Sequence, residues 1–372
     1  MNDSPAQSRS AIVQDWFFAP GGAERVAEEL LRIVPDADVF TSFADRQTSS
    51  ELAGRLHTWP LQRVMGPTRR YRAFLPVYPF WFSRLNLTAC DLVISSCSAF
   101  AKSVRTRPDA THIAYIHTPM RYAWDREGYL AASSLPGPAR LAAGLLHPWL
   151  RKWDRRMARR PDVLIANSAA VQARIREFWG LEADVIHPPV DVEGIDVSRE
   201  DDGYLLVVSR VHAYRRLDLL VRAASLLGRR TIVVGDGPEL PSLRSIAGPS
   251  VEFVGAKGRD EVREYMRRCH TYVVPGDEAF GIAPVEAMAA GKPVVAYRAG
   301  GALDTVSDGV SGVLFDEQTP AALAEAIERA DGISFDPAAI RANAERFSAS
   351  VFRAKFIDLL RRLGVDPSLY RS

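Results

Sequence analysis

Short apolar runs recur along the chain and alternate with amphipathic stretches. Ala11-Ile12-Val13 is the first, and Val39-Phe40, Leu92-Val93-Ile94, Ile113 to Ile116, Val163-Leu164-Ile165 and Val185-Ile186 follow it. These runs are short and rich in β-branched residues, and helical patterns separate them. They predict buried parallel strands joined by crossover helices. One such helix is expected from about Ala23 to Ile33, with Val26, Leu30 and Ile33 on one face. Between Val190 and Gly203 the pattern weakens into acidic, polar sequence that predicts a linker. A second series then begins at Tyr204 to Val208. It continues through Thr231 to Val234, Val251 to Val254, Thr271 to Val274, Pro293 to Val295 and Val313 to Phe315. Helices are expected between them, for example Leu217 to Leu227 and Ala321 to Ala330. Strand followed by helix, repeated through two series, predicts two doubly wound α/β domains facing each other. Ligands are then expected at the carboxyl ends of the strands. A last helix, Ser350 to Leu363, carries Phe352, Phe356 and Leu359-Leu360 on one side and should pack on a domain surface.

Composition narrows the class. The chain has 372 residues, 47% apolar and 25% charged, the profile of a globular enzyme of two domains. The formal net charge of +2 excludes a nucleic-acid polycation, so no nucleic-acid partner is expected. Cys90, Cys97 and Cys269 are scattered and odd in number, which fits a reducing compartment better than a disulfide framework. The first nine residues are polar and lack the apolar core of a secretory signal. No run is long and apolar enough to predict a transmembrane helix. Asp36-Ala37-Asp38 has the form of a metal-binding D-x-D, but it precedes the second expected strand. That is the wrong end of a parallel sheet for a site, so it reads as a solvated turn. No His/Cys cluster offers another metal site, and no metal is expected.

The densest chemistry lies between Gly276 and Pro293. A strand ends at Pro275, Gly281 permits close backbone approach, Pro284 suits the first turn of a helix, and Gly291 stops that helix. The helix start offers free N–H groups and a positive dipole end, suited to a diphosphate. Glu278 lies in the preceding loop. Glu286 is expected in the first turn, where a carboxylate can accept two hydrogen bonds from a ribose diol.

The spacing Glu278-x7-Glu286, followed by Ala-Met-Ala-Ala-Gly-Lys-Pro-Val-Val-Ala and Gly300-Gly301, resembles the GT4 family of retaining glycosyltransferases with the GT-B fold. The resemblance implies that Glu278 contacts the donor sugar and Glu286 the ribose. Phe280, Gly281, Ile282 and Ala283 would complete that side of the donor site. Arg210, after Tyr204 to Val208, and Arg215 match the arginine and lysine that hold the donor diphosphate in the family. Arg215 keeps the charge of the lysine but replaces a point charge with a planar fork, and Arg216 stands beside it. Gly21-Gly22 is similar to the family's glycine loop, and Gly255 ends a strand near which the family places the nucleobase. Lys257 is close by. Gly235-Asp236-Gly237-Pro238 lacks the third glycine of a dinucleotide fingerprint, so no NAD site is expected. His117, directly after a strand, matches a family histidine that contacts the transferred sugar. Arg121, Tyr122 and Asp125 would line the acceptor side.

The resemblance implies domains 1–195 and 196–346, with 347–372 packing back towards the first. It implies no cofactor, the nucleotide sugar being a substrate, and no catalytic nucleophile. Gln14-Asp15-Trp16, Val104 to Asp109, His117 to Asp125, and Phe280 to Glu286 resemble the O-antigen mannosyltransferase subgroup. That implies GDP-mannose as donor and a polyprenyl-diphosphate-linked glycan as acceptor. UDP- or dTDP-linked donors are the alternative, and a nucleotide-sugar epimerase or a non-catalytic relative of the same fold are the competing classes. Two stretches combine basic and aromatic residues and suit an anionic membrane surface. Arg63, Arg69, Arg70, Arg72 and Arg84 interleave with Tyr71, Phe74, Tyr78, Phe80, Trp81 and Phe82, and a second stretch runs from Trp149 to Arg160. The expected location is cytoplasmic, at the inner face of the membrane.

Overall fold

A computed structural model describes residues 10–18, 21–45, 50–52, 54–62, 74, 77–124 and 137–371. Arg63, Arg69, Arg70, Tyr71, Arg72 and Asp125, named above, lie outside the described residues. The chain forms two compact α/β units.

The first unit contains strands β1 (Ser10–Gln14), β2 (Asp38–Thr41), β3 (Leu56–Thr58), β4 (Leu92–Cys97), β5 (Thr111–Ile116), β6 (Val163–Ala166) and β7 (Asp184–Val185). Among the described residues they form one parallel sheet in the order β3-β2-β1-β4-β5-β6-β7. The expected strands are present with nearly the expected bounds. The addition is β3, a half-exposed edge strand whose Leu-His-Thr carries no apolar run. One face of the sheet gathers Ile12, Ile94, Ile113, Tyr115 and Ile165 into a core with Val26, Leu30 and Ile33 of the helix Gly22–Ile33. The helix Ala349–Arg362 adds Phe352, Phe356, Leu359 and Leu360 to the same core, and residues from Phe352 onward belong to this unit. Arg353 donates to Glu29 at 2.6 Å, tying the two helices.

The second unit contains β8 (Leu205–Val208), β9 (Thr231–Val234), β10 (Val251–Gly255), β11 (Thr271–Val274), β12 (Val294–Tyr297) and β13 (Gly312–Phe315). Their order is β10-β9-β8-β11-β12-β13, again parallel. Three strands in this unit, β9, β11 and β13, are fully buried, which is why they read as short apolar runs. The chain enters the unit at Val190, ahead of the expected boundary at 195/196, because the Val190 amide already bonds the Phe347 carbonyl at 2.9 Å.

Both sheets reverse their winding direction once, between β1 and β4 and between β8 and β11. At such a switch point the loops after the two central strands diverge to opposite faces and leave a crevice at the carboxyl edge.

Candidate active site

In the second unit the switch point brings together what the sequence separates. The loop after β8 carries Arg210 and Arg215, and the loop after β11 carries Glu278. The Tyr272 hydroxyl donates to the Val208 carbonyl at 3.0 Å, and the Val208 amide donates back to it at 3.2 Å, stitching β11 to the end of β8. Arg215 Nη1 pairs directly with Glu278 Oε1, both side chains being mostly buried. Burial disfavours the Arg215 charge, but the Glu278 carboxylate beside it overrides this and holds its pKa above the usual arginine range. The Arg215 guanidinium also lies 5.2 Å over the Tyr214 ring. Arg210, by contrast, is exposed: its carbonyl accepts from the His212 amide at 3.0 Å, and its guanidinium has no hydrogen-bond or ion-pair partner among the described residues. Arg216 turns away and bonds Asp218 and Gln318.

The helix Ile282–Ala289 starts directly beneath Glu278. Its N-cap is Gly281, at φ 91°, so no side chain competes for the first N–H groups. A Cβ at Gly281 would lie 2.9 Å from Pro284 Cγ and 3.4 Å from Glu278 Oε2. Gly301 donates to the Glu278 carbonyl at 2.8 Å, and a Cβ on the adjacent Gly300 would collide with that carbonyl. The Glu278 loop is thus held from both sides.

Two expectations change. Glu286 is the fifth residue of the helix, so it begins the second turn rather than sitting in the first. It is half-buried. Phe280 is in the core, its ring 5.5 Å from Phe347, so only its backbone is available to a ligand. Ile282 and Ala283 are half-buried at the helix start. Gly255 ends β10 at φ 75°, with its carbonyl accepting from Gly235 at 2.8 Å. Lys257 pairs with Glu261 at 3.1 Å on the adjacent helix. A narrow recess lined by Gly276, Glu278, Phe280, Gly281 and Pro284 lies at the helix start, and a separate cavity of about 230 Å³ lined by Ser198, His270, Lys292 and Asp331 opens at the amino ends of β11 and β12.

In the first unit, Gly21 caps the helix Gly22–Ile33 without a side-chain bond, and Asp15 follows β1. Asp15 is buried and accepts four amides of the loop after β4: Ser98 at 2.6 Å, Ala99 at 2.8 Å, Phe100 at 2.7 Å and Ala101 at 2.8 Å. Burial pushes its carboxyl up while these donors and Lys102 pull the other way. Asp15 is therefore a structural clamp that the sequence did not mark as such. His117 follows β5, and its Nε2 lies 2.8 Å from Ser96 Oγ. Burial lowers its pKa to about 4, so the imidazole is neutral at pH 7. Arg121 and Tyr122 lie half-buried on the short helix Arg121–Trp124, with Tyr122 stacked on Phe100 at 6.4 Å. That helix is held by a buried hub. Asp154 pairs with Lys102 at 2.6 Å and accepts the indole N–H groups of Trp124 and Trp179, each at 2.8 Å.

Asp38 opens β2 at the amino edge, where the D-x-D was expected to be a turn. Among the described residues no group of three or more His, Cys, Asp or Glu is placed to hold a metal ion, and no helix is long and apolar enough to cross a membrane. The basic aromatic stretches divide: Tyr78 and Phe82 are core, whereas Phe80 and Trp149 are 50% and 42% exposed and stack at 5.9 Å. Arg151 and Arg155 lie over Trp124 at 5.0 and 4.9 Å.

Residues 20–193 match the family model described as Glycosyltransferase Family 4, and residues 194–346 match Glycosyl transferases group 1. The chain is 27% identical over 290 residues to a D-inositol 3-phosphate glycosyltransferase of Mycolicibacterium vanbaalenii. That match covers 68% of this chain and 61% of the relative, so it spans about three-fifths of the relative's length. An uncharacterized glycosyltransferase of Methanocaldococcus jannaschii is 32% identical over 171 residues, covering 45% of this chain and 48% of that one. The crystal structure of Anabaena HepE with UDP and glucose superposes with a TM-score of 0.69 over 95% of this chain and 100% of that one, at 19% identity. Sucrose-phosphate synthase of Thermosynechococcus elongatus gives 0.67 over 96% and 99%, also at 19%. With two parallel-sheet Rossmann-like domains and two adjoining family matches, the chain belongs to the GT4-type glycosyltransferases of the GT-B fold.

Proposed function

We propose that the protein transfers a hexose from a nucleotide diphosphate sugar to a glycan acceptor, with retention and without a metal. The observation that carries this reading is the Arg215–Glu278 pair set above the uncapped start of the helix Ile282–Ala289. Breaking the sugar–phosphate bond leaves negative charge on a departing diphosphate. Arg210, Arg215 and the helix N–H groups supply the opposing charge. One charge pair at about 4 Å is worth roughly 4 kcal/mol at an effective dielectric near 20. Two such contacts, discounted for what the ground state already receives, supply several kcal/mol of differential stabilisation. Glu278 is held in a salt bridge, which suits a group that binds and orients the sugar. It is not assigned as a nucleophile, and the acceptor attacks on the face from which the diphosphate leaves. Glu286 holds the ribose, neutral His117 meets the transferred sugar, and the Gly21-Gly22 backbone approaches the donor.

GDP-mannose is the proposed donor and a polyprenyl-diphosphate-linked glycan the proposed acceptor, on the strength of the segments around Gln14, His117 and Phe280. The exposed Phe80–Trp149 stack, with basic neighbours at Arg84 and Lys152, supports docking on the inner face of an anionic membrane. Release of nucleoside diphosphate from GDP-, UDP- and dTDP-sugars in the presence of EDTA tests the reading. Turnover fastest with GDP-mannose is expected. Preference for a UDP- or dTDP-sugar would replace the donor, and free epimer without acceptor would replace the reaction class.

A further inference from the structure

Four polar side chains close the carboxyl edge of the first unit's sheet. Strand alternation places Gln14, Ser96, His117 and Asn167 two residues beyond Ile12, Ile94, Tyr115 and Ile165, and hence on the same face. Register confirms the row. Gln14 is the partner of Ser96 across β1 and β4, the His117 amide bonds the Cys97 carbonyl at 3.0 Å, and the Asn167 amide bonds the Ile116 carbonyl at 3.2 Å. The row crosses three strand spacings, about 14 Å, which exceeds one pyranose ring. It tops the apolar core on which the helix beginning at Gly22 also packs.

Its two ends are chemically unfinished. Gln14 is 2% exposed and Asn167 5%, yet Gln14 Oε1 and Asn167 Oδ1 have no hydrogen-bond partner among the described residues. An unpaired amide oxygen in such a place is costly, and two of them at one sheet edge call for hydroxyl donors. Between them Ser96 Oγ lies 2.8 Å from His117 Nε2 and holds the ring.

We propose that Gln14 and Asn167 are specificity residues that each accept a hydroxyl of a carbohydrate lying along this edge, with Ser96 positioning His117 between them. The inference rests on the glycosyl-transfer reading above. The hydroxyls belong either to the transferred sugar or to the acceptor glycan, and kinetics separate the two.

The test uses the near-isosteric apolar variants Gln14→Met and Asn167→Leu of the full chain, assayed with the nucleotide sugar that the wild type turns over. Each loses a hydrogen bond to substrate, so kcat/KM should fall about tenfold or more. Binding of the free nucleoside diphosphate should stay unchanged. Tm should hold or rise, because an unpaired amide leaves an apolar setting. A loss already present in donor hydrolysis assigns the hydroxyl to the transferred sugar. A loss confined to the acceptor KM assigns it to the acceptor. Values of kcat/KM within about twofold of wild type in both variants overturn the inference, as does a fall in Tm with unaltered kinetics, which would make the amides structural. A wild type that turns over no nucleotide sugar overturns the parent reading instead.

Discussion

His112 shows how burial sets chemistry one residue at a time. It is enclosed against Ser95 Oγ at 2.7 Å, and loss of water lowers its pKa to about 3. The unfolded imidazole titrates near 6.5. Between those values the unfolded chain takes a proton that the folded chain refuses, so acid favours unfolding. The stability from His112 is complete above pH ~6.5 and is lost as the pH falls towards 3, a contribution on the order of a few kcal/mol. His117 acts in the same direction down to about 4. Tm should therefore drop across this window, and His112→Gln should flatten the drop. An unchanged slope in that variant would refute the assignment. The same scale shows what residue types reveal. Glu278, Arg210 and Arg215 stand out in the sequence because each follows a recognisable buried strand. Gln14, Ser96 and Asn167 do not, since a polar residue at a strand end is ordinary until pairing register lines three of them up with His117.

Among the elements, the helix Ile282–Ala289 is the one on which the proposed diphosphate contact depends. Its start is set by Gly281, whose left-handed backbone lets the Glu278 loop close over the first N–H groups. Gly281→Ala adds a Cβ at 2.9 Å from Pro284 Cγ in a conformation that disfavours alanine. We expect a stability loss of about 1–2 kcal/mol in urea titrations, together with weaker nucleoside diphosphate binding. Normal binding would show that the helix start does not meet the phosphates. The strands β8, β9, β11 and β13 were legible because a buried parallel strand needs unbroken apolar sequence. β3 escaped notice for the opposite reason, being three residues on a half-exposed edge. The position of Glu286 shifted because a helix that starts after its glycine cap counts its first turn from Ile282.

At the scale of the whole molecule, two sheets of the same winding each expose one switch point, and the chemistry singled out in the sequence lies at those carboxyl edges. Repeated strand-helix alternation made that architecture readable. The return of the last helix to the first unit was implied by the family resemblance and not by the pattern itself, because the helix Ala349–Arg362 joins that unit through side chains that would suit any apolar surface. A net charge of only +2 means that the proposed membrane attraction comes from a local patch. Flotation with anionic liposomes at low salt should carry the protein upward, and Phe80→Ser with Trp149→Ser should reduce this. Absence of binding to the vesicles would remove the membrane from the account.

The central claim is that Glu278 and the two arginines act on the donor. It is tested most directly by measuring glycosyl transfer by Glu278→Ala and Arg210→Ala beside their thermal unfolding. Arg210 is exposed, so its loss should change stability by no more than about 0.5 kcal/mol. The account predicts that both variants stay folded and that transfer falls at least about a hundredfold, the loss typical of a transition-state charge contact. Near-normal turnover in either folded variant would contradict it.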